Sequence, residues 1–233
     1  MDHKTSTSDT VDMLIKRIQK LAAENERKPQ WPDDEKKSQT IEKLKAWGVP
    51  IRLAEDVNGE VIDTKPLKFV SRWMQSKDPS GWCLVLSSPK GTGKSTAGAW
   101  WLNEIADKYE LSRVKRWWSS STIARMNGYD PAFEKMFLCQ AMVIDDLGAE
   151  YLDKNGYFQQ KFDEIIDARY SRYRKTLITT NLNARAFTER YGERVSDRIR
   201  HGFEGGGAFV EFSDSSLRIP SVSKKQEGKG KQG

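Results

Sequence analysis

Thiols and imidazoles are scarce in this chain. Only two cysteines, Cys83 and Cys139, and two histidines occur among 233 residues. Neither cysteine has a Cys or His partner at metal-ligand spacing, which excludes a disulfide scaffold and a thiolate metal site. Both lie beside apolar stretches and are read as buried, reduced thiols. Long apolar runs are also missing: none approaches the ~20 residues a bilayer-spanning helix requires. The N-terminal stretch MDHKTSTSDT lacks the apolar centre of a secretory signal. The expectation is a cytoplasmic protein with no membrane partner. Hydrophobic residues make up 37% and charged residues 31%, so a core of ordinary size must coexist with a large hydrated surface. The net charge of +6 favours polyanionic partners, although only weakly.

Three regions follow from the patterning. Val11, Leu14, Ile15, Ile18, Leu21 and Ala22 share one face of a helix. The segment KPQWPDDEKKSQ interrupts it, and a second short helix, QTIEKLKAW, ends at Gly48 and Pro50. With few large apolar residues, residues 1–64 read either as an arm packed on the main domain or as a docking module. Residues 65–220 alternate apolar runs with helical patterns, the signature of a parallel sheet with crossover helices. The runs are WCLVLSS, RVKRWWS, QAMVIDD, TLITTN and AFVEF, which predict a five-stranded sheet. Between them lie KSTAGAWWLNEIADKY, STIARMNGY, YFQQKFDEIIDARYSRY and RAFTERYGERVSDRIR. In the third of these, Phe158, Phe162, Ile165 and Ile166 share a buried face. Residues 221–233, rich in Lys and Gly, are expected to be a disordered basic tail.

The segment Ser88-Pro89-Lys90-Gly91-Thr92-Gly93-Lys94-Ser95-Thr96 follows an apolar strand and opens a helical run. These are the flanks of a phosphate-binding loop, in which backbone N–H groups surround nucleotide phosphates, the Lys reaches the β and γ oxygens and the hydroxyl meets Mg²⁺. Ser88 stands where such loops carry their first glycine. If that position needs an unusual backbone conformation, serine costs about 1–3 kcal/mol. The strand AMVIDD delivers Asp145 and Asp146 at its carboxyl end, one to hold the Mg²⁺ shell and one to orient or deprotonate water. TLITTN ends at Asn181, placed to reach the γ-phosphate or that water. Together the motifs point to ATP or GTP bound with Mg²⁺.

In this order the motifs resemble the AAA+ ATPases, and more narrowly the DnaC-type helicase loaders and their relatives, the IstB-type transposition helpers. The resemblance runs from Trp47 to Arg218 and rests on GVPIR, SPKGTGKST, AMVIDDLGAE, IIDARYSRYRKTLITTNLN, GERVSDRIRHG and SDSSLR. It implies a P-loop AAA+ three-layer fold over residues 65–220, with a reduced or absent helical lid and a small helical arm before it. It also implies Lys94 and Ser95 as Walker A, Asp145 and Asp146 as Walker B, and Asn181 as sensor 1. Arg198 corresponds to an arginine finger offered to a neighbouring subunit, with Arg194 as substitute, and Arg218 to sensor 2. Asp146 stands where many AAA+ proteins carry Glu, which implies slow hydrolysis.

The implied activity is ATP-dependent loading of a replicative DNA helicase. The N-terminal region would bind the helicase, and ATP would control self-association on single-stranded DNA. The alternative is a transposition helper that coats duplex DNA and recruits a transposase. A small-molecule kinase fits less well, since no base-binding segment or arginine-bearing lid is visible and paired aspartates suit water. A nucleotide-gated binding module with little turnover also remains. The stretch around RVKRWW combines Arg113, Lys115, Arg116 and Arg125 with Trp117, Trp118 and Tyr129, a composition that can grip a single strand. Alternation along a strand leaves at most one of the two tryptophans free to stack.

Overall fold

The computed structural model describes residues 34–58, 64–75, 81–109, 114–128, 130–151, 156–200 and 207–213. The expected helix at Val11–Ala22, residue Arg218 and the basic tail lie outside them. In chain order the elements are α1 (Asp34–Ala46), α2 (Ile51–Asn58), α3 (Lys65–Gln75), β1 (Cys83–Ser87), α4 (Lys94–Tyr109) and β2 (Trp117–Ser119). There follow α5 (Ser120–Arg125), α6 (Pro131–Leu138), β3 (Ala141–Leu147), α7 (Tyr157–Tyr170), β4 (Lys175–Thr180), α8 (Ala184–Tyr191), α9 (Glu193–Arg200) and β5 (Gly207–Glu211).

All five expected strands are present and pair in parallel, in the order β2-β3-β4-β1-β5. Val85 of central β1 stands opposite Ile178 of β4 on one side and Phe209 of β5 on the other. A parallel sheet covered on both faces asks for apolar side chains at successive positions, and β1 supplies them: every residue from Cys83 to Ser87 is buried. Alternation then sends Leu84 and Leu86 into one core and Cys83 and Val85 into the other.

The first core packs α1 to α4 against the sheet. Trp47, Val49, Ala54 and Val57 lie in the same cluster as Trp100, Trp101 and Leu177. The backbone carbonyl of Trp47 also accepts N–H bonds from Arg116 (2.8 Å) and Trp117 (3.0 Å), tying the end of α1 to the edge strand β2. Residues 34–58 thus share the core of the sheet domain. The second core holds α5 to α9, with Phe158, Phe162, Ile165 and Ile166 buried as their spacing predicts.

Two features depart from the sequence reading. The run RAFTERYGERVSDRIR forms two helices, because Gly192 turns to φ 90° and its N–H closes α8 on the carbonyl of Thr188. Helix α6, which no sequence pattern had marked, starts at Pro131 behind an Asp130 side chain that caps Ala132 N at 2.8 Å.

Candidate functional site

Strands β1, β3 and β4 end on one edge of the sheet, and the residues of the expected phosphate loop gather there. The loop Ser88–Gly93 links β1 to α4. Its positive φ angles fall at Gly91 (82°) and Gly93 (88°), where an L-residue would be strained. Ser88 is not among the described non-glycine residues with positive φ, which are Asp146 and Tyr173. The cost of serine at this position therefore does not arise. Instead the Ser88 hydroxyl bonds that of Thr92, Thr92 Oγ1 donates to the Pro89 carbonyl (3.1 Å), and Ser88 N donates to Thr180 O (3.2 Å). Hydroxyls brace the loop where a glycine would leave it bare. A Cβ at Gly93 would also lie 2.7 Å from Cγ2 of Thr64, so the start of α3 presses directly on the loop.

Lys94 is buried, and its ammonium donates to the carbonyls of Ser88 (2.7 Å) and Pro89 (2.9 Å) and to Oδ1 of Asn181 (3.1 Å). Those carbonyls hold the cation at the mouth of the loop, beside the N-terminus of α4. The N–H groups of the first helical turn there have no intrahelical acceptor and favour negative charge. Thr96 lies two residues beyond Lys94 in that turn, while Pro89 and Lys90 are exposed at the loop tip.

The two aspartates are separated by a break in β3. Pairing with β4 runs in register through Ile144–Ile178 and resumes, shifted, at Leu147–Thr180. Bulges of this kind re-aim side chains. Asp145 turns inward: its Oδ1 accepts from Ser95 Oγ (2.8 Å) and Thr179 Oγ1 (2.6 Å). Burial raises its pKa above the ordinary carboxylate value, the bonds from Thr179 and Ser95 opposing that rise. Asp146 is exposed, takes the left-handed φ of 55°, and accepts from Asn181 Nδ2 at 3.2 Å. Asn181 therefore bridges Lys94 and Asp146.

The arrangement offers a cation and helix-terminal N–H groups to an anion. It also places one hydroxyl and one carboxylate together as hard oxygen ligands. Among the described residues no cluster of three or more His, Cys, Asp or Glu could hold a metal alone. The Ser95 hydroxyl and Asp145 carboxylate fit Mg²⁺, which is commonly held by one or two protein oxygens with the rest from phosphate and water.

Sequence reasoning missed Thr179, Ser120 and Thr64. Thr179 Oγ1 also accepts from Asp146 N (2.9 Å), and Ser120 Oγ donates to Asp146 O (2.8 Å). A buried polar residue inside the apolar run TLITT was the available signal for Thr179.

Arg198 lies away from this cluster. Its carbonyl accepts from Trp82 Nε1, beside the start of β1 and opposite the phosphate-loop end. Its guanidinium pairs with Asp163 (3.0 Å) and Asp167 of α7, and Arg194 reaches the same two carboxylates. Among the described residues the stretch around RVKRWW presents no stacking platform; Arg113 and Tyr129 lie outside them. Trp117 and Trp118 are both 3% exposed, one in each core, and Arg116 is equally buried, its Nη1 on Ala141 O. The expectation that one tryptophan could be free fails because β2, although an edge strand, is covered on both faces.

No protein-family model matches the chain, and no curated protein matches it. Solved structures do. The DnaC helicase loader aligns with a TM-score of 0.54 at 19% identity, over 72% of this chain and 99% of that one. DnaI aligns at 0.47 and 20% identity, over 66% and 87%. AMPPCP-bound DnaA from Aquifex aeolicus aligns at 0.46 and 19%, over 66% of this chain and 48% of that one. The five-stranded parallel sheet with helices on both faces, and its superposition on the loader, show that this chain has a P-loop α/β fold of the kind found in that structure.

Proposed function

We propose that the chain binds ATP with Mg²⁺, hydrolyses it slowly, and acts as a helicase loader in DNA replication. The observation that carries the nucleotide reading is the convergence of Lys94, Ser95, Asp145, Asp146 and Asn181 at one sheet edge. Lys94 holds neutral carbonyls through two of its bonds, and phosphate oxygens are stronger acceptors for an ammonium, so nucleotide entry exchanges weak partners for strong ones. Ser95 Oγ and Asp145 are the groups that would hold Mg²⁺, whose charge neutralises the phosphate oxygens. Asp146, solvent-exposed and oriented by Asn181, accepts the proton of the attacking water.

The loader reading rests on the sequence resemblance, to which the shared fold adds support. Under it the N-terminal region, residues 1–64, grips a replicative helicase, and ATP controls self-association on single-stranded DNA. Arg198 acts as the finger presented to a neighbouring subunit, and Arg218 as sensor 2. For Arg198 this requires leaving Asp163 and Asp167, or reaching past them, when subunits assemble.

The test is ATP binding and turnover by the full chain with and without Mg²⁺, followed by capture of a purified replicative helicase with and without ATP. Lys94→Ala should abolish ATP binding; because it also removes the bonds to the Ser88 and Pro89 carbonyls, melting first checks that the variant is folded. Ordinary ATP affinity in that variant sinks the nucleotide reading. ATP-dependent filaments on duplex DNA, with no helicase capture, would instead favour the transposition-helper alternative.

A further inference from the structure

Glu150 lies four residues beyond Asp146, and its side chain is fully buried. Its Oε1 accepts from Arg190 Nε (3.0 Å), Arg190 Nη2 (2.9 Å) and Tyr191 OH (2.6 Å), and its Oε2 from Gly148 N (2.7 Å). The backbone carbonyl of Glu150 takes a further bond from Arg190 Nη2 (2.9 Å). Tyr191 in turn packs in a ring cluster with Phe158, Phe162 and Phe187. A buried ion pair is weak evidence for stability, since well-packed apolar residues often replace one without loss. Its use has to be sought in what it holds.

It holds the aspartate turn. Asp146 adopts φ 55° and Gly148 φ 103°, two left-handed residues within three positions. A non-glycine residue there is uncommon and costs about 1–2 kcal/mol, so the surroundings must enforce it. Thr179 and Ser120 fix the backbone of Asp146 from the sheet side. On the far side Ala149 N closes on Asp146 O (3.1 Å), and Glu150 takes the Gly148 N–H. Leu182 fills the space beside Gly148, where a Cβ would meet it at 3.1 Å. Arg190 and Tyr191 belong to α8, the helix that Asn181 leads into and that Asn183 caps at Ala186 N (2.8 Å).

We propose that Glu150, bonded by Arg190 and Tyr191, is a positioning residue that fastens the Asp146 turn to α8 and so sets the spacing between Asp146 and Asn181. This rests on Asp146 acting on the attacking water. Released from α8, the turn relaxes towards commoner backbone angles, and the 3.2 Å contact with Asn181 is lost. Displacements of this size at a reacting group cost on the order of 10²-fold in rate. Nucleotide binding, which depends on Lys94 and Ser95, is untouched.

The experiment compares wild type, Glu150→Gln and Tyr191→Phe as full chains, measuring ATP affinity, kcat and amide hydrogen exchange without nucleotide. Glu150→Gln should lower kcat by about 10- to 100-fold with ATP affinity within about twofold. It should also expose the amides of Asp146 and Gly148 to exchange. Tyr191→Phe keeps the ring in its cluster and removes one bond, so it should shift kcat several-fold in the same direction. It decides the matter by itself if Glu150→Gln does not fold. Unchanged kcat in the folded variants, or unchanged exchange at Asp146 and Gly148, overturns the proposal. A wild type that binds ATP without turning it over would refute the hydrolytic reading instead, and the exchange data would still judge the hold of Glu150 on the turn.

Discussion

Burial raises the pKa of Asp145, and the hydroxyls of Thr179 and Ser95 offset that rise only in part. The folded state therefore binds this proton more tightly than the unfolded chain, whose carboxyl has the ordinary value of 3.8. Ionising Asp145 costs stability: the cost is absent well below that value and present in full once pH exceeds the raised one. Asp145→Asn keeps an acceptor for both hydroxyls and removes the charge. Without Mg²⁺ or nucleotide it should melt above wild type at neutral pH, the advantage fading as pH falls through the raised value towards 3.8 and vanishing below it. It should also weaken Mg²⁺-dependent nucleotide binding. Melting curves across pH check the first half, and an advantage that persisted at low pH would contradict it. Asp146→Asn should behave differently. Asparagine tolerates the left-handed angle and can still bond Asn181, so ATP stays bound while turnover falls by about 10²- to 10⁴-fold for loss of the proton acceptor. Similar behaviour of the two variants would contradict the division of roles.

Helices α1 and α2 lie against α4 through Leu44, Trp47, Val49, Ala54 and Val57, and the Trp47 carbonyl serves two N–H groups at β2. A chain beginning near Thr64 loses all of these contacts and uncovers Trp100 and Trp101. It should be destabilised by several kcal/mol, since each large buried side chain contributes about 1.5–3 kcal/mol. A chain beginning at Asp34 keeps them. The partner-binding proposal is therefore best tested with the shorter deletion, which should melt near wild type and still bind ATP. Failure of that chain to fold would mean that residues 1–33 complete the core. On the opposite layer, Asp163 and Asp167 are four apart on α7 and share Arg198. Arg198→Ala leaves Asp163 and Asp167 with the longer ion pairs to Arg194 and without the hydrogen bond from Arg198, so a loss of about 1 kcal/mol is expected, a drop in Tm of about 2–4 °C. A Tm equal to wild type would show that these ion pairs contribute nothing.

At the scale of the assembled molecule that stability cost has to be separated from any role between subunits. Below its Tm, Arg198→Ala should bind ATP as a monomer yet lose ATP-dependent assembly and most turnover, because a finger stabilises the γ-phosphate of a neighbour's ATP. Mixed with Lys94→Ala, whose nucleotide site is dead and whose finger is intact, it should regain part of its hydrolysis. Complete absence of rescue, with Arg198→Ala folded, would leave the arginine as a brace between α9 and α7.

The strands and the glycine-bearing loop after β1 were legible in the sequence because their cause is local. A doubly covered parallel strand needs an unbroken apolar run, as in CLVL and AMVI, and a phosphate loop needs glycines at its left-handed positions, as at Gly91 and Gly93. The aspartate pair at the end of β3 and Asn181 at the end of β4 were placed by the same logic. Sequence did not show that a bulge sends Asp145 inward and Asp146 outward, nor that both faces of β2 are covered so that Trp117 and Trp118 are buried together. It did not show Arg198 resting on α7, or Glu150 bound to Arg190. Each of these depends on groups distant along the chain, such as Glu150 and Arg190, 40 residues apart. Such partners are chosen by strand order and helix docking, which no short window of residues records.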